Sequence, residues 1–282
     1  MAAACYQPIR WCRPGAEDSA GAVPHITIVP GRRPSDPELW VRCYYQGTWV
    51  LAPHLPGIVS IQQSFVPRRG DVVLASPPKC GTTWLKALAF ATVARGAYPP
   101  GDTERHPLSR LNPHECVPFM EMLFADGSGS GKMDALPSPR LMATHMPHSV
   151  LPPSIKENAG CKIIYVCREP KDMQAANPEK VLFLRYDEML RDPVGNVKKL
   201  AQFVGQPFSP AEEDAGVVMD VVRLCSFDKL KNLEINKAGS GSLFANDSYF
   251  RKGGVGDWTP DMARRLDAVV DDKLRGSGLS FA

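Results

Sequence analysis

The sequence has no apolar run near the ~18 residues that a membrane-spanning helix needs, and its opening, MAAACYQPIRWCRPG, lacks the uninterrupted apolar core of a signal peptide. A cytoplasmic protein with no membrane partner is expected. Nor is there a CxxC pair or a zinc-like spacing of cysteine with histidine, so the eight cysteines read as free thiols in a reducing compartment and no metal is expected. Lys and Arg are scattered, and a formal charge of +3 without a basic run does not call for nucleic acid as a partner. Internal repeats are also absent.

What is present suits one large domain: 282 residues, 44% of them apolar, can bury a sizeable core. Residues 1–38 are rich in Pro, Gly, Ala and Arg without periodicity and read as a poorly ordered leader carrying little chemistry, with the domain running over 39–282. From Trp40, WVRCYYQGTWV and GIVSIQQSFV have the aromatic and β-branched content of leading strands or a short helix. Asp71–Ser76 is a buried strand and Thr83–Ala94 a helix. Cys161–Cys167 and Lys180–Tyr186 are near-continuous apolar strands of the kind found in a parallel sheet. Residues 187–204 read as a helix broken early by Asp192-Pro193, 124–140 and 236–257 as loops, and 259–275 as a closing amphipathic helix. The fold class is α/β: a single domain with a parallel central sheet flanked by helices.

A loop that leaves a buried strand and enters a helix points free N–H groups at one spot, where the helix dipole adds positive potential and anions bind. Here Gly81 permits close approach, Thr82 and Thr83 supply hydroxyls, and Lys79 adds a mobile charge. Taken by themselves these residues also suit an ordinary turn and cap. The order is not that of a Walker loop, GxxxxGK[ST], because Lys79 precedes Gly81, and no Mg²⁺-binding carboxylate is evident. A nucleotide kinase is the rival from that class. GSGSGKM at 127–133 has Met133 where a Walker loop needs Ser or Thr and no strand leading into it, so it reads as a flexible loop. A lone histidine such as His145 is ordinarily a core or loop residue, and Pro147 spoils a helical metal pair with His148.

PPKCGTTWLKAL closely resembles the 5′-phosphosulfate loop of cytosolic sulfotransferases, with the flavour of the plant flavonoid and steroid branch. The resemblance extends from about Trp40 to Arg275 through NPHECVPFME, LPSPRLMATHMPHSVLP, CKIIYVCREPKDM, PEKVLFLRYDEML and FRKGGVGDW. It implies a P-loop-like sulfotransferase fold and transfer of a sulfonate from 3′-phosphoadenosine 5′-phosphosulfate (PAPS) to a hydroxyl of a small organic acceptor, with no metal. It further implies that Lys79, Cys80, Gly81, Thr82, Thr83 and Trp84 wrap the phosphosulfate and adenine side, that Tyr186 lies near the adenine, and that Arg168, Arg251, Lys252 and Gly253 meet the 3′-phosphate. In MATHMP, His145 takes the place of the general base, with Lys79 steadying the departing phosphate.

The chain departs from the family pattern in several places. Cys80 stands where Thr or Ser is usual, and Cys225 where Thr is usual. Between Arg168 and Tyr186 the linker is essentially REPKDMQAANPE, barely the roughly 10–12 residues of a parallel crossover. The family's serine for the 3′-phosphate is absent after Met173, so the domain reads as shortened between about 173 and 178. A PAPS-dependent enzyme with impaired turnover is expected; a catalytically inactive PAPS- or nucleotide-binding relative is the alternative.

Overall fold

The computed structural model describes residues 27–29, 42–125, 129–158, 160–167, 179–239, 245–250, 253, 261 and 264. Three strands come first, β1 (Thr27–Val29), β2 (Arg42–Tyr45) and β3 (Thr48–Leu51), joined as an antiparallel sheet in that order. Gln46 and Gly47 both take positive φ, 47° and 82°, which gives the β2–β3 turn the twist that a two-residue hairpin prefers. β1 falls inside the stretch expected to be a poorly ordered leader, of which residues 27–29 alone are described. Its Thr-Ile-Val run is β-branched and pairs Ile28 with Cys43, so strand propensity here is completed by a partner distant in sequence.

A helix α1 (Leu55–Ser64) leads to β4 (Val72–Ala75), followed by α2 (Thr82–Val93), the short α3 (Pro113–Cys116) and α4 (Met120–Leu123), then α5 (Gly129–Asp134). The last was expected to be a loop. Its glycines are tolerated because Met133, 1% exposed, anchors the turn in the core. β5 (Leu141–Thr144), α6 (Pro153–Glu157), β6 (Lys162–Cys167) and β7 (Val181–Arg185) follow. The helix expected over 187–204 is two, α7 (Tyr186–Arg191) and α8 (Pro193–Phe203), divided where Asp192 caps the second and Pro193 opens it. α9 (Pro210–Asp214), α10 (Val217–Leu224), α11 (Phe227–Asn232), α12 (Glu234–Ala238) and a 3-10 turn over Asn246–Tyr249 complete the described fold. Of the closing helix expected over 259–275 only Asp261 and Arg264 are described, both helical. No helix among the described residues is long and apolar enough to cross a membrane.

The central sheet is wholly parallel in the order β5-β4-β6-β7. Because side chains alternate along a strand, β4 sends Val72 and Leu74 into a core shared with α2, α8 and α10, and Val73 and Ala75 into a second core shared with α1, α4 and the hairpin. Both faces are covered, which accounts for the near-continuous apolar text of β4 and β6. Chain order puts β5 on one side of β4 and β6 on the other, so the carboxyl end of β4 is a topological switch point, where such sheets open a crevice for ligands. Despite the short linker, β7 still pairs in parallel with β6, Cys167 opposite Arg185.

The amino end of the sheet is locked by a buried ion pair. Arg140, just before β5, donates to Asp71, just before β4, at 2.9 and 2.6 Å, with side chains 2% and 1% exposed. Removing Asp71 leaves buried Arg140 with only a 3.3 Å contact to the exposed Asp134 and a bond to the Val66 carbonyl, so Asp71→Ala should lower unfolding free energy by about 3 kcal/mol. Urea denaturation followed by tryptophan fluorescence checks this, and a loss within about 1 kcal/mol would mean that Arg140 finds another partner.

Candidate active site

The site is assembled where β4 and β5 end side by side, Ala75 paired with Thr144. Beyond β4 the chain turns through Pro77–Gly81. Lys79 is exposed and held at φ 68°, a left-handed conformation seldom taken by non-glycine residues, and Gly81 sits at φ 104° as the residue before α2. A Cβ on Gly81 would lie 2.7 Å from Cδ2 of Tyr186, so glycine is required twice, by conformation and by space. Tyr186 is the first residue of α7, buried, with Trp84 edge-on to it at 5.6 Å between centroids.

No side chain caps α2 at Gly81, and its first intrahelical bond is Leu85 N–H to Gly81 O at 2.9 Å. The N–H groups of Thr82, Thr83 and Trp84 therefore face the loop without a carbonyl one turn back. Thr82 and Ser76 share a hydroxyl hydrogen bond of 2.5 Å, tying the helix start to the strand end. An uncapped helix start, a glycine pressed against an aromatic ring and a neighbouring lysine form a cradle that fits a phosphate or sulfate ester.

His145 follows β5 directly. Its Nδ1 lies 2.7 Å from the carbonyl oxygen of Ser76, which can only accept, so Nδ1 carries the proton and Nε2 presents a lone pair. Glu121 of α4 fixes the backbone here. Fully buried, its Oε1 accepts from Thr144 Oγ1 and from His145 N–H, each at 2.7 Å. Burial lowers the His145 pKa to about 4; Glu121 and the Ser76 carbonyl pull upward, and His54 and Lys86 add to the lowering. His145 is thus neutral near pH 7, with Phe119 at 4.7 Å and His54 stacked at 6.4 Å.

A cavity of about 70 Å³ lies against His145, walled by Trp49, Val50, Leu51, His54 and Ile58. It holds a few waters or the edge of a ring. Trp49 and Val50 belong to β3, so the hairpin supplies one wall of the site.

Lys79, Cys80, Gly81, Thr82, Thr83, Trp84 and Tyr186 come together around the loop, and His145 adjoins it through Ser76. Gly253, at φ 65°, sits where a Cβ would fall 2.5 Å from the Phe227 ring. Arg168, Arg251 and Lys252 lie outside the described residues. Sequence reasoning missed Glu121, His114, Lys86 and His54. His114 and Glu121 lie in the NPHECVPFME block, and Lys86 shows as a charged residue in the apolar text WLKALAF.

The sulfotransferase domain is matched by residues 69–175 and 173–278. The chain belongs to the sulfotransferase family. Cytosolic sulfotransferase 17 of Arabidopsis thaliana is 36% identical over 307 residues, covering 88% of this chain and 86% of its own length. That alignment is longer than the 282-residue chain, so it spans positions that this sulfotransferase lacks, and the two matched segments overlap at 173–175. Among solved structures, an Arabidopsis thaliana protein assigned to the steroid sulphotransferases is 29% identical with a TM-score of 0.64, covering 91% of this chain and 93% of its own. A mouse sulfotransferase complexed with 3′-phosphoadenosine 5′-phosphate (PAP) shares the fold at 22% identity and a TM-score of 0.59, over 84% of this chain and 95% of its own. The P-loop-like sulfotransferase fold expected from the sequence is the fold observed.

Proposed function

We propose that this sulfotransferase moves a sulfonate from PAPS to a hydroxyl of a small organic acceptor in the cytoplasm, and that its shortened join slows turnover. The observation that carries the reading is the His145–Ser76 hydrogen bond, which leaves Nε2 free as a base at the strand ends beside the anion cradle. PAPS supplies an activated sulfonate, and PAP departs when the sulfonate is transferred. Lys79, Cys80, Gly81, Thr82, Thr83 and Trp84 hold the 5′ end through N–H groups, hydroxyls and one charge; Tyr186 lies by the adenine; Arg168, Arg251, Lys252 and Gly253 receive the 3′-phosphate. His145 Nε2 takes the acceptor proton as the acceptor oxygen bonds to sulfur, and Lys79 offsets the charge left on the phosphate. PAP in the mouse structure of the same fold and the naming of the plant relatives as cytosolic support the donor and the compartment.

Loss of the family serine after Met173 removes one contact to a dianion, on the order of 1.5–3 kcal/mol or more than tenfold in donor affinity. The apolar walls from β3 and α1 suit an acceptor with a flat, weakly polar body and a hydroxyl directed at His145. The test is incubation with sulfur-labelled PAPS and a panel of phenolic, flavonoid and steroid acceptors. Label should appear in at least one acceptor, at a rate well below that of a full-length relative. PAP binding without label transfer to any acceptor would contradict the enzymatic reading.

A further inference from the structure

Behind the loop, three elements bring Lys86 and His114, which the transfer step does not use, up to the Thr83 hydroxyl. Lys86 of α2 is fully buried, its Nζ 2.9 Å from Nδ1 of His114 in α3 and 3.3 Å from the centroid of the Phe119 ring. On its other edge, His114 Nε2 lies 3.0 Å from Thr83 Oγ1 in the first turn of α2. The His114 ring is clamped between Phe119, stacked at 5.3 Å, and Tyr249 at 4.1 Å. Tyr249 closes the 3-10 turn that runs into Arg251-Lys252-Gly253.

The directions of these hydrogen bonds can be worked out. As an ammonium set over the Phe119 ring, Lys86 has only N–H bonds to give, and Nδ1 then accepts one. An imidazole accepting at Nδ1 carries its proton at Nε2 and donates to Thr83 Oγ1. The Thr83 hydroxyl hydrogen is then released from the protein and available to an anion at the loop. Burial, with help from Lys86, His145 and Lys79, holds the His114 pKa well down, which keeps the ring in the neutral form with one donor and one acceptor. Burial also lowers the Lys86 pKa, against the pull of Glu121 and Cys116.

We infer that Lys86 and His114 are positioning residues that fix the Thr83 hydroxyl as a donor toward the 5′-phosphate end of the bound nucleotide. The inference rests on the donor-site reading above. It gives α3 and the turn at Tyr249 a role in ordering the loop, since both hold the His114 ring. A neutral hydroxyl made to donate in one direction contributes to anion binding what a freely rotating one forfeits in part.

The experiment is calorimetric titration with PAP of wild type, His114→Ala, His114→Gln, Thr83→Ala and the double variant His114→Ala/Thr83→Ala, with thermal melting to establish that each is folded. His114→Ala should weaken PAP about tenfold. His114→Gln, whose amide N–H can replace Nε2–H, should return affinity to within about threefold of wild type. In the Thr83→Ala background, removing His114 should cause no further loss, because the effect passes through the hydroxyl. If His114→Ala does not fold, Lys86→Met keeps the buried volume and removes the N–H; it should weaken PAP only when Thr83 is present. Wild-type affinity in His114→Ala, or losses that multiply in the double variant, overturn the inference and leave the donor site standing. A folded wild type that does not bind PAP overturns both.

Discussion

Replacing His145 with alanine should lower kcat by roughly 10²–10⁴-fold while leaving PAP affinity within about threefold of wild type. The separation follows from geometry. His145 is hydrogen-bonded to the Ser76 carbonyl at the end of β4, whereas the proposed donor cradle is built from α2 N–H groups, Gly81 and Lys79. Steady-state kinetics and PAP titration on the same preparation measure the two quantities. Since burial sets the His145 pKa at about 4, the base is in its accepting form above pH ~5; kcat/KM should be flat from there to neutrality and fall through pH ~4. Stability carries the same sign. The unfolded chain protonates this histidine near pH 6.5 and the folded chain near 4, so between those values the unfolded state holds more protons and stability drops as pH falls. In His145→Ala that part of the pH dependence should vanish.

The second large effect is expected at Gly81. An alanine there must hold φ 104° and place its Cβ 2.7 Å from the Tyr186 ring, which is itself packed against Trp84. The cost of the backbone conformation is of order 1–3 kcal/mol, and the ring must shift as well. Gly81→Ala should therefore both lower the melting temperature and weaken PAP by at least about tenfold, because the N–H groups of the first turn of α2 lose their aim. Gly205 offers a comparison: also at positive φ, 82°, but with nothing within 4 Å of an added Cβ, its alanine variant should lose stability without losing PAP. Melting curves and titrations of the two variants separate strain from site geometry.

Much of this was legible in the sequence, and the rest was hidden for physical reasons. β4, its loop and α2 could be read because a doubly buried strand is written as an unbroken apolar run and the loop is punctuated by glycine. β5 was not anticipated: Leu-Met-Ala-Thr is short, lacks β-branched residues at its start, and is a strand because β4 pairs with it. β1 likewise exists through β2. His145 was reachable through its MATHMP setting, but nothing local tells which nitrogen carries the proton; the Ser76 carbonyl, from another strand, decides it. Lys86 shows the limit most clearly. In sequence it is a charged residue on a helix and would be assigned to solvent, yet α2 is buried nearly all round and His114 and Phe119 receive its Nζ. Such convergence of α2, α3 and α4 leaves no periodic trace.

The shortened join also looks different in three dimensions. The linker barely meets the length of a parallel crossover, and β6 and β7 keep their parallel register while Tyr186 reaches Gly81. On the proposed reading, the residues assigned to the 5′ end of the donor come together, and the consequence of a missing segment falls on the 3′-phosphate and the acceptor side.

The measurement that tests the central claim most directly is a calorimetric titration of the wild-type chain with PAP in the presence of chelator, beside Lys79→Ala and Arg251→Ala. Saturable binding that needs no metal and is weakened in both variants is the predicted result. A well-folded protein that gives no heat with PAP, or that binds ATP only with magnesium, would contradict it.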